Sequence, residues 1–434
     1  KWQMSGCVDV REILLDDETL LPELLGELDH VMEYYRSMGT DIIRVRQVLG
    51  KTVAQLEKPL LDVFLSSGYR VVQGNLLKGD FVSDLFPKSK ALAYMLHKQH
   101  IPPSNRFKHT LEAAAALGGI RSDFETGLRV NLFASTWNLV RAGVLLTGLG
   151  IPEHLVYCVP SDILLYKKAK DRPMEPDMKE LLSVIPPYSP ISRSELSSRS
   201  SLSKEAFAEA LKKLYAGLFL IRDSKNRYMI TKSSEMPVAD ARRKVLRRIV
   251  ENLGLVTAEG LSAFVKHEFK MTELRGYLKQ WEQEGWLAKG YLVEGSDALF
   301  WMIRSDLERV NGLDFKGRIV LSPTDTLTQY LAQEIREKFG IGACFVVLEG
   351  TEMAGAFKAT TRGGTLTVTH MVGPKVDDTI RDFARRWGMK VEYTDKEAPT
   401  PTDEWEIITW YEKQHGAKPG DKEAVQEEDE EKLG

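Results

Sequence analysis

Two groups of cations offer the clearest chemistry in this chain. Arg242, Arg243, Lys244, Arg247 and Arg248 form the densest basic cluster, and Lys204, Lys212, Lys213, Arg222, Lys225 and Arg227 form a looser one upstream. Residues 179–250 hold 15 Lys and Arg against 7 Asp and Glu, although the whole chain carries a formal net charge of -3. Cations at this density neutralise phosphates. Each phosphate neutralised releases counterions, which gives salt-dependent, sequence-tolerant binding to a polyanion. The plainer readings are a solvated helix surface for the looser group and an ion-paired surface between domains for the denser one.

These side chains sit on a repeated cadence: an amphipathic helix, a glycine, then two short apolar runs around a polar tip. The clearest copy is Ser201 to Thr231, the next is Met271 to Met302, and a less regular one is Lys51 to Val82. Helix, tight turn and hairpin make the second half of a winged helix-turn-helix, whose helix can enter a DNA groove while the hairpin touches backbone. Winged helices are therefore expected at 21–83, 178–232 and 238–303.

In the first unit Leu24, Leu25, Leu28, Val31 and Met32 stripe one helix, Asp41 to Leu49 suggests a second, and Leu56 to Leu65 a third, dented by Pro59. In the second, Ser192 followed by Glu195 is a capping-box signature, Ser203 caps the third helix, and Phe207, Leu211, Leu214 and Leu218 mark its inward face. The looser basic group then lies outward, on that helix and its wing. In the third unit the dense cluster lies on the first helix, Thr257 and Thr272 cap the next two, and the wing runs from Trp286 to Met302. The outward face of its third helix is close to neutral.

Residues 84–170 read as helical, with an alanine run at 113–116 and a helix near Phe133 to Leu146; a further divergent winged helix is one reading of them. After Gly312 the apolar period changes from helical to alternating. Residues 313–395 read as a β-rich α+β module with strands at Arg318 to Leu321, Cys344 to Leu348, Glu352 to Thr360, Thr365 to His370 and Lys390 to Tyr393. Its helices are expected at Thr326 to Phe339 and Val376 to Trp387. Residues 396–434 read as a short helix around Trp405 to Lys413 and an acidic disordered tail. The expected fold class is α+β: tandem winged helix-turn-helix domains followed by a small mixed α/β, barrel-like module.

Composition narrows the setting. A chain of 434 residues, 43% of them apolar, can bury several cores of ordinary size. Cys7, Cys158 and Cys344 lie far apart and suggest a reducing, cytoplasmic compartment. No apolar run reaches the roughly 18 residues that a membrane span needs. His97 and His100 have HxxH spacing without a third ligand nearby, and the glycine pairs 118–119 and 363–364 lie in no phosphate-binding motif. Neither a metal nor a cofactor is expected.

The strand at Arg318 to Leu321 is followed by Pro323, Asp325 and Leu327, then by Val346-Val347-Leu348, Gly350, Gly355 and Lys358. On these residues the stretch resembles the C-terminal module of the YcaQ/AlkZ-like winged-helix DNA glycosylases. With the winged helices before it, the resemblance spans residues 178–395. The same architecture occurs in the C-terminal region of Lhr-type helicases. The resemblance implies binding to duplex, forked or damaged DNA, with base excision as a further activity. Under it Asp325 is the candidate catalytic carboxylate and Lys358 a DNA contact; the other role for Asp325 is N-cap of the helix that starts at Thr326. The family's Gln-x-Gln catalytic motif occurs nowhere in the sequence.

Three functions follow as expectations. The first is a DNA-binding winged-helix array, either the accessory region of a repair helicase whose core precedes it in the same polypeptide or a stand-alone relative. The second is a DNA glycosylase acting on damaged or deaminated bases. The third is a protein-interaction scaffold or transcription regulator whose acidic tail recruits a partner.

Overall fold

A computed structural model of the chain describes residues 4–5, 10–15, 30, 42–48, 51–82, 85–102, 106–151 and 154–394. Helices and strands are mixed throughout, and the chain divides into two compact units, 1–91 with 278–311 and 92–277 with 312–434. The division falls inside the helices Lys88–Lys98 and Met271–Gln283.

The first unit is built on a sheet. Val10–Leu15 runs parallel to Ile42–Val48, which pairs antiparallel with Asn75–Gly79, and Arg70–Val72 closes the edge. The helix expected over Asp41 to Leu49 is thus a strand. Ile42, Ile43, Val45 and Val48 are β-branched, and such side chains favour pleated backbone over a helix. Ile42, Val45 and Val48 are fully buried. The helix Lys58–Ser66 forms close to the expected place, and Pro59 does not dent it. Proline falls in its first turn, where the missing N–H has no intrahelical acceptor to lose. Phe64 meets Tyr69 edge-on at 5.4 Å in a core shared with Val45, Val48, Val53 and Leu76. The stripe Leu24 to Met32 lies outside the described residues. The hairpin Leu287–Gly290 with Phe300–Ile303 belongs to this unit, in register Leu287↔Ile303.

In the second unit, residues 106–170 mix helix and strand and are not simply helical. The alanine run lies in the helix Thr110–Leu117, but the helix expected from Phe133 to Leu146 shrinks to Thr136–Arg141. Gly143, at φ +71, turns the chain out of the helix, and Leu146–Leu149 then pairs antiparallel with Leu155–Cys158.

Residues 176–230 carry three helices, Pro176–Ser183, Arg193–Arg199 and Lys204–Ala216, then the hairpin Leu220–Arg222 with Tyr228–Ile230. Ser192 and Ser203 cap as expected, each accepting from the backbone N–H three residues on at 3.2 Å. The Glu195 carboxylate pairs with Arg199. Phe207, Leu211 and Leu214 pack with Leu181, Ile191 and Leu196 in one core. After the helix the left-handed residue is Leu218, at φ +58, and not Gly217. Glycine is needed at 217 for space, since a Cβ there would meet the Phe219 ring at 2.6 Å. The hairpin is also not free-standing: Arg222 pairs with Thr147, making a four-stranded sheet with Leu146–Leu149 and Leu155–Cys158.

Thr257 caps Ala258–Val265 by accepting from Gly260 N–H at 2.9 Å. Thr272 is no cap, because the helix Met271–Gln283 has already begun at that point. The C-terminal module has five strands in sequence order, Arg318–Leu321, Phe345–Glu349, Glu352–Arg362, Thr365–Val372 and Lys390–Tyr393, the last pair parallel, forming a half-barrel. The expected helix after Asp325 is two, Thr326–Tyr330 and Ala332–Phe339. Phe345 stacks on Phe357 at 4.8 Å, and Phe124 from the helix Asp123–Arg129 reaches into the same core. The short helix and tail expected at 396–434 lie outside the described residues. No described helix is long and apolar enough to cross a membrane.

Candidate nucleic-acid interface

The cations read from the sequence divide by what they touch. Lys204 opens the helix Lys204–Ala216 and is exposed, and Lys225 is exposed on the turn between the hairpin strands. Neither has an ion-pair partner among the described residues, and the same holds for exposed Lys244 on Val238–Leu253. Lys213 pairs with Glu175 at 2.7 Å and with Glu209 at 3.8 Å. Arg227 pairs with Asp223 at 2.7 Å, and Arg247 with Glu251 at 3.2 Å. Both arginines stay partly exposed. Lys212, Arg243 and Lys358 are half-buried.

Three of the predicted contacts point inward. Arg222 is 8% exposed and donates to Tyr228 Oη at 2.9 Å, its guanidinium over the rings of Tyr215 and Tyr228. The two rings come from the helix Lys204–Ala216 and from the second hairpin strand, so the side chain is covered within the segment itself. Arg242 ties elements together: its guanidinium pairs with Glu273 at 2.6 Å and donates to the carbonyls of Ala169 and Glu268. The hydrogen bond to Glu273 raises its pKa, which burial alone would lower. Arg248 donates to Asp162 at 2.8 Å. Burial pushes the Asp162 carboxyl up, and Arg248 only partly offsets this. The densest cluster is thus largely a packing device, and Lys244 is its most open member.

Asp325 sits at the centre of a second constellation. Its Oδ1 caps the helix Thr326–Tyr330, accepting from Leu327 N–H at 3.0 Å. Arg129 grips both carboxylate oxygens, at 2.8 and 3.1 Å, and both side chains are 0% exposed. Gln99 Oε1 accepts from the same guanidinium at 3.1 Å. Burial lowers the pKa of Arg129, but the Asp325 and Glu125 carboxylates more than offset that. Beside this pair, buried Glu125 accepts from Arg121 N–H at 2.6 Å and from Thr326 Oγ1 at 3.1 Å. The Pro-x-Asp-x-Leu motif therefore fastens the C-terminal module to the helix Asp123–Arg129. Sequence reasoning singled out Asp325 but missed Arg129, Glu125 and Gln99, since their partners lie far away along the chain.

A small cleft opens next to this network, lined by Gly118, Arg121, Tyr166, Arg248, Asn252 and Thr326 among others. It is partly open and has room for about one water-sized guest. The Tyr166 hydroxyl, held up by burial, donates to the Gly118 carbonyl at its edge. No described group of three or more His, Cys, Asp and Glu side chains is placed to hold a metal ion.

No protein-family model matches the chain, and no curated protein matches it in sequence. The solved structure of the DNA glycosylase AlkZ from Streptomyces sahachiroi is similar to it in fold, with a TM-score of 0.54 and 15% sequence identity. The match covers 71% of this chain and all of that one. The chain is thus similar to AlkZ in its mixed α/β fold with a half-barrel sheet.

Proposed function

We propose that this chain is a DNA-binding protein with a role in DNA repair, and that residues 178–232 form a winged helix making its principal contact. The observation that carries the reading is the pair Lys204 and Lys225. One opens the third helix of that segment, the other tops its hairpin, and both are exposed without an ion-pair partner among the described residues. Helix and wing are the two elements such a module lays against a duplex. Arg227 and Lys244 add weaker support, the first being shared with Asp223. Likeness in fold to a DNA glycosylase favours a nucleic-acid partner over a purely protein one. In this reading Arg222, Arg242 and Arg248 serve the fold. A winged helix at 238–303 remains part of the proposal only as a spacer, the one expected at 21–83 is dropped because Ile42–Val48 is a strand, and placement beside a helicase core is one setting for the whole.

Base excision is a second reading, favoured by the same likeness. Asp325 is a poor catalyst for it, because a carboxylate fully engaged by an arginine and a helix N-terminus cannot reach a water or a sugar. An excision activity on this chain would use another group. The binding proposal is tested with duplex and forked oligonucleotides across a salt series, wild type beside Lys204→Ala/Lys225→Ala. Steep salt dependence that becomes shallower in the variant supports it; weak affinity that is flat with salt removes it. Incubation with uracil-containing or alkylated duplex followed by alkali decides the second reading, strand scission being its required result.

A further inference from the structure

A second surface on the same unit joins exposed apolar side chains to unpaired cations. The strand Val130–Leu132 pairs with Phe107–His109, with Val130 opposite buried Phe107 and Leu132 opposite His109. Where the strand leaves the core, Leu132 is 70% exposed and the next residue, Phe133, is 45% exposed. Single apolar residues on a surface are ordinary, but two in succession on a rigid support are not. The support is explicit. Phe133 lies edge-on to Trp387 at 5.6 Å, and Trp387 is held by Phe124 at 4.9 Å. Gly127 leaves room for that indole, since a Cβ there would come within 2.7 Å of it.

Exposed cations lie on the segments next to this tip. Lys108 is exposed on the paired strand and Arg106 just before it, and Arg386 is exposed next to Trp387 in the chain, at the end of the helix Val376–Arg386. Their side chains have no ion-pair partner among the described residues. The nearby carboxylates are engaged: Asp123 accepts from Ser135 and Thr136, and Glu112 from the backbone N–H of Lys108. A rigid apolar tip flanked by free cations matches a base step between phosphates, because the tip can lie against the apolar face of an unstacked base while the cations meet the flanking backbone.

We infer that Leu132 and Phe133 form a wedge that enters a base step of bound duplex DNA and opens its stacking, with Arg106, Lys108 and Arg386 holding the phosphates on either side. The inference rests on the DNA-binding reading above and adds a second, deforming contact to it. The wedge is an element of grip and distortion, and no chemistry is assigned to it.

The test uses the full chain and a duplex carrying 2-aminopurine at successive positions, read by fluorescence together with affinity at several salt concentrations. The wild type should raise the fluorescence at one step by several-fold. Leu132→Ser should abolish most of that rise and weaken binding by roughly tenfold without changing the salt slope, because no cation is lost. Arg106→Ala/Lys108→Ala should instead reduce the slope by about 2, roughly 0.9 for each phosphate contact. Leu132 is the chosen residue because it is the more exposed one; Phe133→Ser, which loses the contact with Trp387, serves as the second variant once its melting curve matches wild type. Salt-dependent duplex binding without any 2-aminopurine response, or with Leu132→Ser indistinguishable from wild type, removes the wedge and leaves the DNA reading standing. No binding to any duplex removes both.

Discussion

At the scale of single residues, burial decides which of the charged side chains can act on a ligand. Asp325 and Arg129 form a pair with no exposure, and breaking a buried pair by removing one partner leaves the other charge uncompensated, at a cost of about 3–5 kcal/mol. Asp325→Ala and Arg129→Ala should each lower unfolding stability by that order in denaturant melts. The double replacement Asp325→Leu/Arg129→Met should cost much less than the sum, because it leaves no orphan charge. Single losses that simply add in the double replacement would show that the two side chains are not energetically coupled. Asp162 gives a pH signature with a definite sign. Its folded pKa is raised above the unfolded value of 3.8, so between those two values the folded state holds more protons. Stability contributed by this group is therefore fully present below that window and declines as pH rises through it. Asp162→Asn should remove the decline, so its stability relative to wild type should improve as pH is raised from 3.5 upward in urea melts. A relative stability that is constant with pH would show that the group does not titrate between the two states.

At the scale of elements, the arginine-rich appearance of a segment says little until its neighbours are known. Arg222 and Lys225 are three residues apart in sequence, yet one packs between two tyrosine rings and the other stands in solvent. Arg222→Ala should cost about 1–3 kcal/mol through lost packing and hydrogen bonding, with DNA affinity of the folded fraction unchanged. Lys225→Ala should do the reverse, leaving the melt in place and weakening DNA binding. Paired melts and titrations check both, and a swapped pattern would contradict the assignment. The same contrast explains what could be read from sequence. Strands such as Arg318–Leu321 and Lys390–Tyr393 were legible because alternation and turn residues bound them locally. The caps at Ser192, Ser203 and Thr257 were legible for the same reason, each needing only the backbone three residues on. Ile42–Val48 was misread because its apolar spacing also fits a helix, and the sheet partners that decide the matter come from Val10–Leu15 and Asn75–Gly79. Arg222 was misread because the rings that cover it, Tyr215 and Tyr228, come together only when helix and hairpin pack.

At the scale of the whole molecule, a chain with slight net negative charge can still bind a polyanion if its cations are concentrated and unpaired. Ion pairing thins the basic stretch 179–250 considerably, so few phosphate contacts remain and the expected binding is moderate, salt-sensitive and tolerant of sequence. The fold shared with AlkZ is compatible with that chemistry but does not dictate it, since one fold serves many functions and a site must be argued from its own residues. The most direct measurement is the affinity for a plain duplex at a series of salt concentrations, wild type against Lys204→Ala/Lys225→Ala, with melting curves confirming that both are folded. The account predicts a linear fall of log affinity with log salt in the wild type and a slope shallower by about 2 in the variant. A variant with the same affinity and the same slope as wild type would contradict it.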